Sequence, residues 1–339
     1  MKEYGATSIA ITGAGAVSPA GWGLSSLRES VVEGREIVPQ SFQGASSGGR
    51  SYLRRAVPAP QAKSPLFRHP RLRRTSPVGR YLAAAAMEAV GEPRAESFRS
   101  GESRLGIVVS CYTGCVNYSQ RFFAEVVADP ATASPILFPE TVFNAPASHL
   151  SALFGSSEMN YSLVGDQSQY LTALETAARW LIDDEVDAVL VAAAEESDWL
   201  TAEALSLFDG AGVVGEGAAA LLLECAQEPQ IELALVTDRI PYSGKRRAGD
   251  AVRDLRGLLD SEGAKGVLLE SGDHSAAFDG WVGDRFALRE HFGEGFGVAA
   301  GWACALGVSM LQDGDAETSV IGAVGLNEAC GGAVLKVNS

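Results

Sequence analysis

Short apolar runs alternate along the chain with segments whose apolar positions recur every three or four residues, the pattern of a layered α/β protein. Residues 8–12, 104–110, 160–164 and 186–193 read as strands. Between the last two, Leu171, Leu174, Ala178 and Leu181 share one face of a helix over 168–182. An alanine-rich helix is expected over 80–90. Residues 38–66, rich in Ser, Gly, Pro and Gln, predict an irregular surface excursion. The opening strand is expected to end in a turn at Gly13-Ala-Gly15.

The rest of the chain echoes this arrangement. Strands at 231–237 and 266–270 flank a helix over 251–259, and a helix over 298–311 precedes strands at 319–324 and 333–337. Each half closes on a glycine-led apolar strand, 217–224 and 331–337. The helix over 298–311 has no polar face, which suits one covered on both sides. Two similar halves with sheets enclosing such helices predict five layers, divided at 226/227.

Composition narrows the function. With 339 residues, 46% of them hydrophobic, the chain can bury a large core. A formal net charge of −15 argues against nucleic acid, which demands a cationic surface. No apolar run reaches the ~20 residues of a membrane span, and the opening M-K-E-Y-G carries no secretory pattern. Five cysteines, an odd number lying mostly in apolar segments, fit free thiols in the cytoplasm. Cys111 and Cys115 stand as a lone C-x₃-C without a second pair, so packing thiols are expected there rather than a metal.

Two letter motifs fail on context. Gly13-Ala-Gly15 would need its third dinucleotide-binding glycine at Ser18, and Pro19 follows where a helix should open. The G-A-S-S-G string over 44–48 matches a nucleophile elbow but lies in the irregular stretch, with no strand before it. No cofactor is implied.

A set of motifs in order carries more. The run I-A-I-T-G-A-G-A-V-S-P-A-G over 9–21 is followed by G-R-E-I at 34–37, R-Y-L-A-A-A-A at 80–86 and F-P through N-A-P-A-S-H over 138–149. V-D-A-V-L-V at 186–191 and G-E-G-A-A-A-L-L-L-E at 215–224 complete it. Together they resemble the β-ketoacyl-[acyl carrier protein] synthases of the thiolase superfamily over nearly the whole chain. The resemblance implies a thiolase-like five-layer α-β-α-β-α fold of two similar halves, 1–226 and 227–339, with an irregular and docking region over 38–80.

It also implies where chemistry should be. The family's cysteine nucleophile lies at a tight strand-to-helix turn, where a helix amino terminus lowers its pKa. Its counterpart here is Gln167 in V-G-D-Q-S-Q, or Asp166 or Ser168 if the register slips by one. None is a cysteine, and a carboxamide cannot form a thioester. The family's two histidines, which stabilise the enolate, correspond to Ser271 and Gly295. The closing glycine-rich loop is replaced by G-L-N-E-A-C-G-G at 325–332, and the segment between Glu195 and Gly215 is short. His274 is a possible substitute histidine; His149 and His291 are expected to be structural.

Such a degenerate member resembles a chain-length factor, the non-condensing half of a heterodimer with a catalytic ketosynthase in type II polyketide (polyenes included) or fatty acid biosynthesis. By that likeness the strand over 159–164 would pair with the partner, and Val116, Tyr118 and Phe122 would plug the partner's acyl tunnel. Arg68, Arg71, Arg73 and Arg74 would dock an acyl carrier protein. Two alternatives stand: a malonyl-carrier decarboxylase supplying acetyl primer, and a homodimeric scaffold.

Overall fold

The computed structural model describes residues 8–44, 49–60, 65–209, 212–242, 247–272, 278–326 and 329–338. The first part of the chain runs β1 (Ser8–Ser18), β2 (Gly21–Trp22), α1 (Leu24–Val32), β3 (Gln40–Gln43), β4 (Ser51–Arg55), α2 (Pro77–Arg99), β5 (Leu105–Cys111) and α3 (Val116–Ala128). It continues through α4 (Ala145–Phe154), β6 (Asn160–Val164), α5 (Gln169–Ile182), β7 (Ala188–Glu195), α6 (Trp199–Asp209), β8 (Val213–Gly215) and β9 (Gly217–Ala226). The second part holds β10 (Ile231–Val236), β11 (Ile240–Pro241), α7 (Ala248–Ser261), β12 (Val267–Glu270) and β13 (Arg285–Ala287). It ends in α8 (Leu288–Phe292), α9 (Ala299–Gln312), β14 (Thr318–Val324) and β15 (Ala329–Val337).

The large sheet contains the same pairing pattern twice. The order β6-β5-β7-β9-β1 is parallel, parallel, antiparallel, antiparallel. The order β13-β12-β14-β15-β10 repeats it step for step. The two runs meet where β1 pairs β10 at Ala10 and Glu232. Between them lies one apolar cluster built from α5, α9 and the inward faces of both runs. A second cluster joins α2 and α4 to the outer face of the first run, and a third joins α7 to that of the second. The result is five alternating layers in the thiolase-like arrangement. Helix α9 is buried along its length except for its last residue, so its lack of a polar stripe follows from cover on both sides.

Two local expectations change. The glycines of Gly13-Ala-Gly15 do not form a turn: β1 runs on to Ser18 through a bulge between Ile11 and Gly13. They clear a path for α2, because a Cβ would meet the Ala89 carbonyl oxygen at 1.9 Å from Gly13 and the Ala85 oxygen at 2.1 Å from Gly15. The irregular stretch also contains structure. Strands β3 and β4 pair with each other, and β4 pairs in parallel with β8, forming a small second sheet. Neither strand has a regular apolar face to reveal it. Residues 45–48 of the nucleophile-elbow string lie outside the described residues.

Candidate functional site

The turn between β6 and α5 presents Gln167 at the start of the helix: the Tyr170 N–H donates to the Gln167 carbonyl at 3.3 Å. Gln167 is 1% exposed. Both ends of its amide are occupied. Its Nε2 donates to Glu294 Oε1 at 2.9 Å, and its Oε1 accepts from Ser271 Oγ at 2.9 Å. Ser271 follows β12 and is fixed by its N–H to the Gly322 carbonyl at 3.0 Å. Thus Gln167 and Ser271, from opposite halves of the chain, meet directly.

The second expected histidine position, Gly295, lies next to the residue that bonds Gln167. Gly295 lies against Trp302, and a Cβ there would come within 2.5 Å of the indole. Its neighbour Glu294 is the residue that reaches the centre. The Glu294 backbone is held on β8 by hydrogen bonds to Val213 (2.7 Å) and Gly215 (2.8 Å). Its side chain also accepts from the Phe296 N–H at 2.7 Å, and its Oε2 lies 3.0 Å from Arg289 Nε. Phe296 carries φ 45°, costly for a side chain with a Cβ, and it stacks on Tyr112 with centroids 5.4 Å apart. Position 274 lies outside the described residues. Among the described residues no histidine bonds Gln167.

The neighbouring positions of the turn are committed locally. Asp166 Oδ1 accepts from Ser168 Oγ at 2.9 Å and from the Ser168 N–H at 3.3 Å, and Arg239 Nε donates to Ser168 Oγ at 3.0 Å. What these residues can do chemically is limited. The amide at 167 is not nucleophilic, its hydrogen-bonding groups are satisfied, and a serine and a carboxylate stand beside it. The described partners supply no imidazole pair to receive an oxyanion.

Beside this centre lies a set of buried acids that sequence reading passed over. Glu195 ends β7 fully buried and accepts from the Thr113 hydroxyl (2.6 Å) and from the N–H groups of Thr113 (3.1 Å), Gly297 (3.2 Å) and Tyr112. Burial pushes its carboxyl up to about 7, with those donors opposing the rise. Glu196 bonds the N–H groups of Asn117 (2.8 Å) and Val78 (3.1 Å) and the Ser76 hydroxyl. Glu216 joins Tyr81, Ser197 and the Val57 N–H. These acids tie together loops in place of an apolar core. Their visible signal was a Glu-Glu pair at the end of an unbroken apolar strand, where solvent exposure is not expected.

The remaining expected site residues lie elsewhere. Val116 opens α3 and is buried, the Tyr118 hydroxyl donates to the Thr75 carbonyl at 3.4 Å, and Phe122 packs on Phe138 at 5.4 Å. Helix α3 turns Phe123 and Val127 to the surface, 69% and 68% exposed. Edge strand β6 exposes Tyr161 and Val164. Arg68, Arg71, Arg73 and Arg74 lie exposed on two single-turn helices, Pro65–Arg68 and Pro70–Arg73, and the residue after them. Among the described residues none of the four makes an ion pair with a carboxylate. His149 bonds Glu140 at 2.8 Å within the fold, and burial lowers the pKa of His291. Cys111 and Cys115 are buried free thiols, their pKa values raised first by burial and next by Glu195 and Glu196 respectively. No group of three metal-ligating residues occurs among the described residues, and no helix there is long and apolar enough to cross a membrane.

Comparison with known proteins agrees with this architecture. The profile described as "Beta-ketoacyl synthase, N-terminal domain" matches residues 6–228. Among curated proteins, no sequence matches the chain. Among solved structures, the ishigamide ketosynthase/chain length factor superposes with a TM-score of 0.78 at 18% identity, covering 98% of this chain and 100% of that one. AntDE:AntF, a type II PKS acyl-carrier protein in complex with its ketosynthase, gives 0.77 at 18%, covering 98% and 99%. The ketosynthase ApeO in complex with its chain length factor ApeC, from Xenorhabdus doucetiae, gives 0.74 at 17%, covering 98% of each chain. At these identities the likeness establishes a shared fold.

Proposed function

The chain belongs to the β-ketoacyl synthase family, and within it we propose the role of a non-condensing, chain-length-factor-like subunit that pairs with a catalytic ketosynthase. The observation that carries this reading is the hydrogen-bonded amide of Gln167 at the helix start where the family's thiol is expected. A subunit without a nucleophile contributes through what it presents to a partner. Here that surface is the exposed apolar side of β6 and α3, an unpaired edge strand that a second chain would cover.

In this reading the partner's acyl tunnel ends against α3, with Val116, Tyr118 and Phe122 setting its depth. An acidic acyl carrier protein is steered by Arg68, Arg71, Arg73 and Arg74, a basic cluster on a chain of net charge −15. The setting is carrier-dependent polyketide or fatty-acid-like synthesis in the cytoplasm. The chain-length-factor complexes among the structural neighbours support the pairing as an analogy of fold.

Co-expression with an intact ketosynthase, followed by mass measurement of the purified assembly, tests the role. A one-to-one complex is expected; a persistent homodimer or monomer would sink the reading. Within such a complex, Phe122→Ala or Tyr118→Ala is expected to lengthen the partner's products. Unchanged product length would remove those residues from the tunnel.

A further inference from the structure

The centre around Gln167 differs from an intact one by more than a missing sulfur. Glu294, paired with Arg289 at 3.0 Å, places an acidic side chain at hydrogen-bond distance from the 167 side chain, in a pocket where Gln167 and Glu294 are each about 1% exposed. We infer that Glu294 is a second, independent lock on the site: its carboxylate would keep an acid introduced at position 167 in its neutral form, so a restored thiol would remain protonated and unreactive. The inference rests on the non-condensing reading and names the residue that enforces it.

The charges facing the position can be weighed by distance. The amino terminus of α5 favours an anion, but with only about half an elementary charge spread over its free N–H groups. As the carboxylate that its pairing with Arg289 favours, Glu294 carries a whole charge, and its Oε1 is the oxygen bonded to Gln167. Arg289 meets the other oxygen, Oε2, at 3.0 Å rather than the oxygen bonded to Gln167. On the turn itself Asp166 adds a second carboxylate, while Arg239 is directed at Ser168 Oγ and at Gln169 Oε1 (2.8 Å). Burial keeps water from screening these terms. The acid in direct contact with position 167 is Glu294, and beside its carboxylate the thiolate, the only nucleophilic form of a cysteine, is the disfavoured one.

Glu294 is also difficult to displace. Its backbone bonds to β8 in both directions, its side chain accepts the N–H of strained Phe296, and Arg289 pairs with it. It therefore stays in place whether the group beside it is an amide or a thiol. The neutral amide suits this setting because it can donate to Glu294 through Nε2 and accept from Ser271 through Oε1, which a thiolate cannot do.

Ultraviolet thiolate absorbance as a function of pH tests the inference without requiring reagent access to a buried site. The protein would carry Cys225→Ser, removing the exposed native thiol, and the signal is the difference between Gln167→Cys and Gln167→Ser. The midpoint in Gln167→Cys is expected above the ordinary thiol value of about 8.5. Adding Glu294→Gln should lower it by at least one pH unit, roughly tenfold more thiolate at neutral pH. A midpoint at or below about 8.5, or one that Glu294→Gln leaves unmoved, would overturn the lock. If Glu294→Gln strands Arg289 and prevents folding, Glu294→Gln with Arg289→Met removes both charges and is expected to move the midpoint in the same direction. A normal complex with the ketosynthase combined with a low midpoint would reject this inference alone. A raised midpoint in a chain that never pairs would reject the partner role alone.

Discussion

Strands β6 and β13 occupy the same place in two runs of identical pairing, each the outermost strand beside a parallel neighbour. They treat that edge in opposite ways. β13 is three residues long, half-buried, and carries Arg285, whose guanidinium pairs with Glu270 (2.8 Å) and Asp279 (3.4 Å). β6 is five residues long and exposes Tyr161 and Val164, 50% and 52%. A short charged edge discourages further pairing, whereas a longer apolar one invites it. One repeated pattern thus yields a terminated edge and an open one, and the open edge belongs to the run that leads into Gln167.

The largest effect should come from reversing that chemistry at β6. Tyr161→Asp with Val164→Asp is expected to weaken assembly with the proposed ketosynthase partner by about 4 kcal/mol, roughly a thousandfold, if both residues lie at the centre of the interface. The matched control is Val282→Asp, next to β13 and 85% exposed, which should leave assembly unchanged. Analytical ultracentrifugation of the mixed chains decides it. Equal effects at both ends would erase the functional difference between the edges.

The interior acids extend the comparison. Glu195 in the first run is held by N–H and hydroxyl donors only, among its described hydrogen bonds, whereas Glu270 in the second is held by a cation. A carboxyl raised by burial from 4.5 to about 7 favours folding while protonated. Its contribution is therefore complete below 4.5 and is lost as pH rises through about 7, a change of about 3 kcal/mol. Urea unfolding of wild type and Glu195→Gln over that window should diverge by this amount, the variant lacking the decline. Parallel curves would show that Glu195 folds as a carboxylate.

Much of this was legible in sequence, for identifiable reasons. Buried strands such as Leu105–Cys111 and helices with a continuous apolar face such as 298–311 announce themselves, because burial on both sides leaves few polar positions. Motifs named Gln167 and Ser271 as positions, and their side chains bond at 2.9 Å. Glu294 did not, since a motif places a position and not the side chain that fills the space: at Gly295 the Trp302 ring excludes a side chain, so its neighbour turns in. The small sheet of β3 and β4 was hidden for a different reason. Its residues are mostly exposed, and the parallel partner β8 lies far along the chain, so neither periodicity nor proximity marks it.

The smallest effect tests whether β13 is terminated by charge or merely by length. Arg285→Met keeps the stem that covers the strand and removes the guanidinium from Glu270, which is 4% exposed. Burial already raises the Glu270 pKa, and Arg285 is what draws it back toward ionisation. Because Arg285 is itself partly exposed, the lost pair should cost about 1–2 kcal/mol, less than a fully buried one. Stability of the variant should recover in acid, where Glu270 takes up a proton and no longer needs a cation. If the edge is held by charge, the variant should also begin to self-associate at neutral pH, visible as concentration-dependent mass. A variant that loses stability but stays unassociated would mean that three residues are too few to pair, and that length alone closes this end of the sheet.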